Sequence, residues 1–187
     1  MSRRQSVEVE NEELPTQPPS LSILDLSQEE VEGAVGFHPV ELESPTVYPM
    51  SVSRIIYKFS KKGSPMLRIS CRPLDDEDPL IETIITYTNL PFQNMKREQR
   101  EMRNLALKEL ATSLNQNIGE FLSVIQSAHS EITEETAFEG VEIEDFRDLL
   151  GHAIITYEEA STYKDEDGVL HESPARNNVK RWIIANG

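Results

Sequence analysis

The chain is short of cysteine and glycine and has no long apolar run, and each shortage removes a class of protein. A single cysteine, Cys71, in 187 residues permits no intrachain disulfide and no cysteine-based zinc site, and it agrees with a reducing compartment. The eight glycines fall in neither a G-x-G-x-x-G nor a G-x-x-x-x-G-K-[ST] pattern, so no phosphate-cradling loop is expected. A G-x-S-x-G nucleophile motif is missing as well. His38, His129, His152 and His171 stand far apart and form no H-x-x-x-H pair, which leaves no metal-ligand spacing. We therefore expect no catalytic residue, no metal, no cofactor and no small-molecule substrate. Apolar runs such as Ala153-Ile154-Ile155 fall well below the roughly 20 residues that cross a bilayer. Behind Arg3 and Arg4, where a signal peptide needs an apolar core, stands the acidic stretch 8–13. The expectation is an intracellular protein, cytoplasmic or nuclear, or interior to a virion.

What is present is charge, and it is segregated. Residues 1–45 hold 2 basic and 10 acidic side chains, residues 46–112 hold 11 and 8, and residues 113–187 hold 5 and 15. The whole chain carries a net charge of −15, yet its middle is basic, so an anionic partner and the chain's own acidic ends compete for the same stretch.

Residues 1–45 read as a disordered acidic arm: Glu-rich, then interrupted by Pro15, Pro18, Pro19, Pro39 and Pro45, with few large apolar residues to offset the entropy of ordering. Residues 46–187 read as one α+β domain, a mainly antiparallel sheet of about five strands covered by a long helix. Val52–Phe59 and Met66–Arg72 alternate in period 2 around the turn residues Lys61-Lys62-Gly63-Ser64-Pro65, which predicts a hairpin. A third strand spans Ile81–Tyr87, with Ile81, Thr83, Ile85 and Tyr87 on one face, and Ile81 and Tyr87 are assigned to the core. Residues 92–129 carry Leu107, Leu110, Leu114, Ile118, Phe121, Leu122 and Ile125 at helical spacing, with Asn115, Asn117 and Gly119 as a bend or break. A short helix is expected over Glu142–Leu150, stopped by Gly151. A strand follows over Ala153–Tyr157, then a hairpin around Asp165-Glu166-Asp167-Gly168, and a last helix opened by Ser173-Pro174.

Two sets of residues stand out as binding candidates. Leu21, Ile23, Leu24 and Leu26, followed by Glu29, Glu30 and Glu32, form an aliphatic cluster with acidic flanks. Such a segment suits addition to a partner's sheet edge or docking in a groove, or else folds back on the chain's own domain. Over about ten residues it resembles a SUMO-interacting motif, which implies a protein partner. The second set is Arg54, Lys58, Lys61, Lys62, Arg68 and Arg72, with no acidic residue between them. Separations of four put Arg54 with Lys58 and Arg68 with Arg72 on shared strand faces, a polyanion-binding surface or a solvated one. Tyr57 and Phe59 have the opposite parity, which argues against a base-stacking platform. Lys96, Arg97, Arg100 and Arg103 form a weaker basic ridge on the helix.

The function expected from these features is that of a non-enzymatic interaction and assembly protein that docks partners, or itself, through the arm and a domain surface. Adaptors and small viral structural or accessory proteins fit this description. A flexible arm on a compact domain resembles viral matrix proteins in outline. The alternative is a nucleic-acid or anionic-surface binder, membrane surfaces included, that uses the basic hairpin.

Overall fold

The computed structural model describes residues 20–35, 47–74, 83–164 and 168–183. Its centre is an antiparallel sheet of β1 (Val47–Phe59), β2 (Pro65–Pro73), β3 (Ile84–Asn89), β5 (Leu149–Glu158) and β8 (Arg176–Ile183), in the order β3-β2-β1-β5-β8. A two-residue β4 (Val141–Glu142) also pairs with β1. β6 (Ser161–Lys164) and β7 (Leu170–Ser173) pair with each other and form no ladder with the main sheet. The fold is thus α+β with a mainly antiparallel sheet of about five strands.

Period-2 alternation builds the β1–β2 hairpin, with one interruption. A bulge between Val52 and Arg54 shifts the register, so the inward set passes from Met50 and Val52 to Ile55, Tyr57 and Phe59. Leu67, Ile69 and Cys71 of β2 and Ile84 of β3 join them. Edge strands β3 and β8 approach one another without pairing, so the sheet curls around its core.

One face of that sheet is covered by α2 (Arg97–Ser113) and α3 (Ile118–Glu131) rather than by a single long helix. The break falls at Leu114–Asn117, where Asn115 adopts φ 54° and the Asn117 side chain accepts a hydrogen bond from the Glu120 amide, a helix-starting cap. Leu107, Leu110, Leu114, Phe121, Leu122 and Ile125 are buried, so the apolar stripe holds although the rod is cut. Ser113, at the end of α2, donates to the His152 carbonyl and accepts from the His152 amide, fastening helix to sheet.

Several expectations are corrected here. Glu142–Leu150 is not a helix. β4 ends at Glu142, a single 3-10 turn spans Glu144–Phe146, and β5 begins at Leu149. Gly151 sits inside β5, where a side chain would collide with Leu114 and Ser113, so it marks a close approach of strand and helix and not a helix end. The segment after Ser173-Pro174 is strand β8: pairing with β5 satisfies its backbone and buries Trp182, which outweighs the local start signal. Ile85 and Tyr87 are exposed, and their neighbours Ile84 and Thr88 point inward instead. Ile81 lies outside the described residues.

The largest correction concerns the arm. Residues 1–19 and 36–46 lie outside the described residues, but 20–35 is folded onto the domain. Leu21, Leu24 and Leu26 pack against the core, and Val31 of the short helix α1 (Gln28–Gly33) is fully buried. Burial of that one side chain stabilises by about 1.5–3 kcal/mol. Backbone bonds fix the course of the segment: Ser22 donates to the Gly63 carbonyl, Asp25 to that of Pro91, and Gln93 to that of Ile23. Gly63 has φ 77° and leaves no room for a Cβ beside the Ser20 carbonyl, which explains a glycine at that turn.

Candidate functional site

The β1–β2–β3 register decides which side chains share the outer face of the sheet. Residues opposite one another across antiparallel strands point to the same side. Arg54 stands opposite Ser70, which stands opposite Ile85. Ile56 faces Arg68, which faces Tyr87. Lys58 faces Met66, which faces Asn89. Arg72 continues the face opposite Ser51. Four rows therefore place Arg54, Lys58, Arg68 and Arg72 among Met66, Ile85 and Tyr87, with Lys61 and Lys62 exposed on the adjoining turn. Tyr87 is 53% exposed and Ile85 41%, so these two apolar members are open to solvent, whereas Met66 is half-buried and Ile56 buried.

Electrostatics divide this set. Arg54 donates to Glu142 at 2.7 Å, and the same carboxylate takes Arg147 at 2.5 Å. Arg147 first and Arg54 second hold the Glu142 carboxyl below its usual range. Lys58, Lys61, Lys62, Arg68 and Arg72 have no ion-pair partner among the described residues. Among the described residues five cations are thus left without an ion pair on one face and turn of a chain whose net charge is −15.

The basic ridge of α2 is differently employed. Arg100 pairs with Asp25 at 2.8 Å and Glu30 at 3.5 Å, and donates to the Phe92 carbonyl; its Asp25 hydrogen bond leads the upward shift of its pKa. Arg103 donates to the Leu90 carbonyl and lies 5.2 Å from the Phe92 ring centre, and burial lowers its pKa. Lys108 donates to the carbonyls of Glu32 and Ala34, and Arg97 pairs with Glu101 along the helix. Arg100 and Lys108 act as a clasp that holds residues 20–35, and the ridge does not merge with the sheet face as a second free patch.

Of the aliphatic cluster, Leu21, Leu24 and Leu26 are turned to the chain's own core, and Ile23 alone is well exposed, at 60%. Alternation alone does not mark this division, because Leu21 shares the parity of Ile23 yet packs with Leu24 and Leu26. What the sequence did not disclose was the groove that receives them, built from the β1–β2 turn and residues 91–93.

Other groups are scattered. Tyr57 and His129 are joined at 2.8 Å beneath α3, inside the packing and away from the outer face. Cys71 is buried, its thiol directed at the Ile84 carbonyl at 3.7 Å and its pKa pushed up to about 12 by burial, so it is a poor nucleophile at neutral pH. Among the described residues no three His, Cys, Asp or Glu side chains converge as a metal site. None of the described helices is long and apolar enough to cross a membrane. A hollow lined by Ala160, Ser161, Thr162, Glu172, Ser173 and Pro174 is open to solvent and brings together only one ionisable group. Comparison with protein-family models and with curated proteins returns no match to this chain.

Proposed function

We propose that this is a non-enzymatic interaction and assembly protein whose working surface is the outer face of β1–β2–β3, and that the partner presents acidic and apolar groups together. The observation that carries this is the interleaving of Arg68 and Arg72 with Tyr87 and Ile85 in one register. Interfaces are enriched in Arg and Tyr because a guanidinium and a phenol each combine apolar area with a directed polar group. Adaptors and small viral structural proteins of the matrix kind act through such surfaces without turnover, and a lone buried thiol suits an intracellular or virion-interior setting. Docking through residues 21–26 is the lesser route, since three of its four aliphatic side chains are packed against the domain.

A second reading, single-stranded nucleic acid, is favoured by one feature: Tyr87 stands directly across from Arg68, a ring for stacking beside a cation for phosphate. One experiment separates the two. Fluorescence anisotropy at 0.15 M salt is measured with a labelled peptide alternating Glu with Leu and Tyr, and with an oligothymidylate of equal charge. We expect the peptide to bind more tightly, and Arg68→Glu with Arg72→Glu to weaken it at least tenfold. Tighter binding of the oligonucleotide, falling with salt at a slope of about −0.7 per phosphate contacted, establishes the second reading instead. An unchanged peptide affinity in the charge-reversed variant contradicts the proposal.

A further inference from the structure

Among the described residues no third strand pairs with the β6–β7 hairpin. Every described residue from Tyr157 to Glu172 is exposed, including Tyr157 at 65%, Tyr163 at 56% and Leu170 at 61%. Within the hairpin Tyr163 stacks on His171 at 5.3 Å, while Leu170 lies on the opposite face with Glu172 and Thr162. A two-stranded ribbon with no third strand or helix beneath it is marginal in water. Apolar side chains held out in this way gain by burial elsewhere.

Charge and position say where. Residues 157–173 contain six acids and one lysine, and although Glu158 is held by Arg176, the remaining acids complement the five cations of the sheet face and turn that have no ion-pair partner among the described residues. Along β1 the two features lie at opposite ends. The hairpin follows β5 beyond the pair Val47 and Ile154, whereas Arg68 and Tyr87 are level with Ile56, nine residues further along β1 and about 30 Å away at the rise of a strand. The hairpin does not sit on its own face, since its described residues are exposed.

We infer that the occupant of the sheet face is the β6–β7 hairpin of a second copy of this chain, with Leu170 against Tyr87 and Ile85, and Glu172 toward Arg68 and Arg72. This rests on the reading of the face given above and names its partner. The contact is heterologous, hairpin of one copy on face of the next, so each copy offers one of each and the assembly grows into a ring or an open chain. The net charge of −15 opposes association over long range, but at 0.15 M salt the screening length is about 8 Å, which suppresses that repulsion and leaves contact pairs in place.

The test is sedimentation velocity on the full chain from about 5 to 200 µM at 0.15 M salt. The wild type is compared with a face variant (Arg68→Glu, Arg72→Glu) and a hairpin variant (Leu170→Ser, Glu172→Lys). Lys58→Glu with Lys62→Glu serves as a second face variant should the first fail to fold, with thermal unfolding as the check. The wild-type mass is expected to rise with concentration and to fall back at 1 M salt, and each variant alone is expected to remain monomeric. An equimolar mixture of face and hairpin variants is expected to stop at a 1:1 dimer, because each retains the one surface that the other needs. A wild type that stays monomeric, a variant that assembles like the wild type, or a mixture that stays monomeric overturns the inference. If the monomeric wild type still binds the acidic peptide, only the identity of the partner fails; if it does not, the reading of the face fails with it.

Discussion

His129 shows how one half-buried ring couples the fold to pH. Its Nδ1 meets the Tyr57 hydroxyl, its ring packs edge-on to Tyr57 and tilted to Phe59, and burial lowers its pKa below the ordinary value of about 6.5. The folded chain therefore keeps this ring neutral where the unfolded chain takes up a proton. Below about pH 6.5 the unfolded state binds more protons, so the stabilisation is complete above that pH and is lost as pH falls toward the folded-state pKa. Urea midpoints at pH 7.5 and 5.5 are expected to drop more for the wild type than for His129→Gln. Equal drops contradict the assignment. None of this was legible beforehand, because a partner 72 residues away leaves no local mark. Cys71 as an inert core residue was legible, since a lone thiol in an alternating strand has few other uses.

At the scale of elements, the segments with strong local signals emerged where expected and those governed by tertiary pairing did not. The β1–β2 hairpin carries its own turn chemistry and alternation. β8 is preceded by a false helix start in Ser173-Pro174, overruled by its ladder with β5. The helical stripe from Leu107 to Ile125 was plain, and the cut between α2 and α3 was signalled by Asn115 and Asn117. Residues 20–35 were misjudged because their composition is too poor in apolar groups to fold alone; the apolar area that orders them belongs to the domain, and Arg100 and Lys108 supply the polar clasp. Val31 is the sharpest probe of that docking. Val31→Asp places a carboxylate where no solvent reaches, and we expect it to lower stability by about 2–4 kcal/mol in urea denaturation. A loss below about 0.5 kcal/mol would mean that the segment contributes nothing to the folded state.

For the whole molecule, segregated charge was visible in the sequence, but which charges are free was not. Of the basic residues singled out in the middle third, Arg54, Arg97, Arg100 and Arg103 are engaged by the chain itself, whereas Lys58, Lys61, Lys62, Arg68 and Arg72 on the sheet face and its turn have no ion-pair partner among the described residues. Tyr87 completes that face. Its parity was readable, but the burial of one side of β3 rather than the other depends on where α2 packs. Residues 20–35 pack as part of the domain, which leaves the sheet face as the proposed site of partner engagement. Amide hydrogen exchange on the intact chain tests this directly. The Asp25 amide, bonded to the Pro91 carbonyl, and the Val31 amide, bonded to the Ser27 carbonyl, are expected to be protected to within about tenfold of the amides of α2. Exchange of both at the rate of an unstructured peptide, while α2 remains protected, would contradict the account.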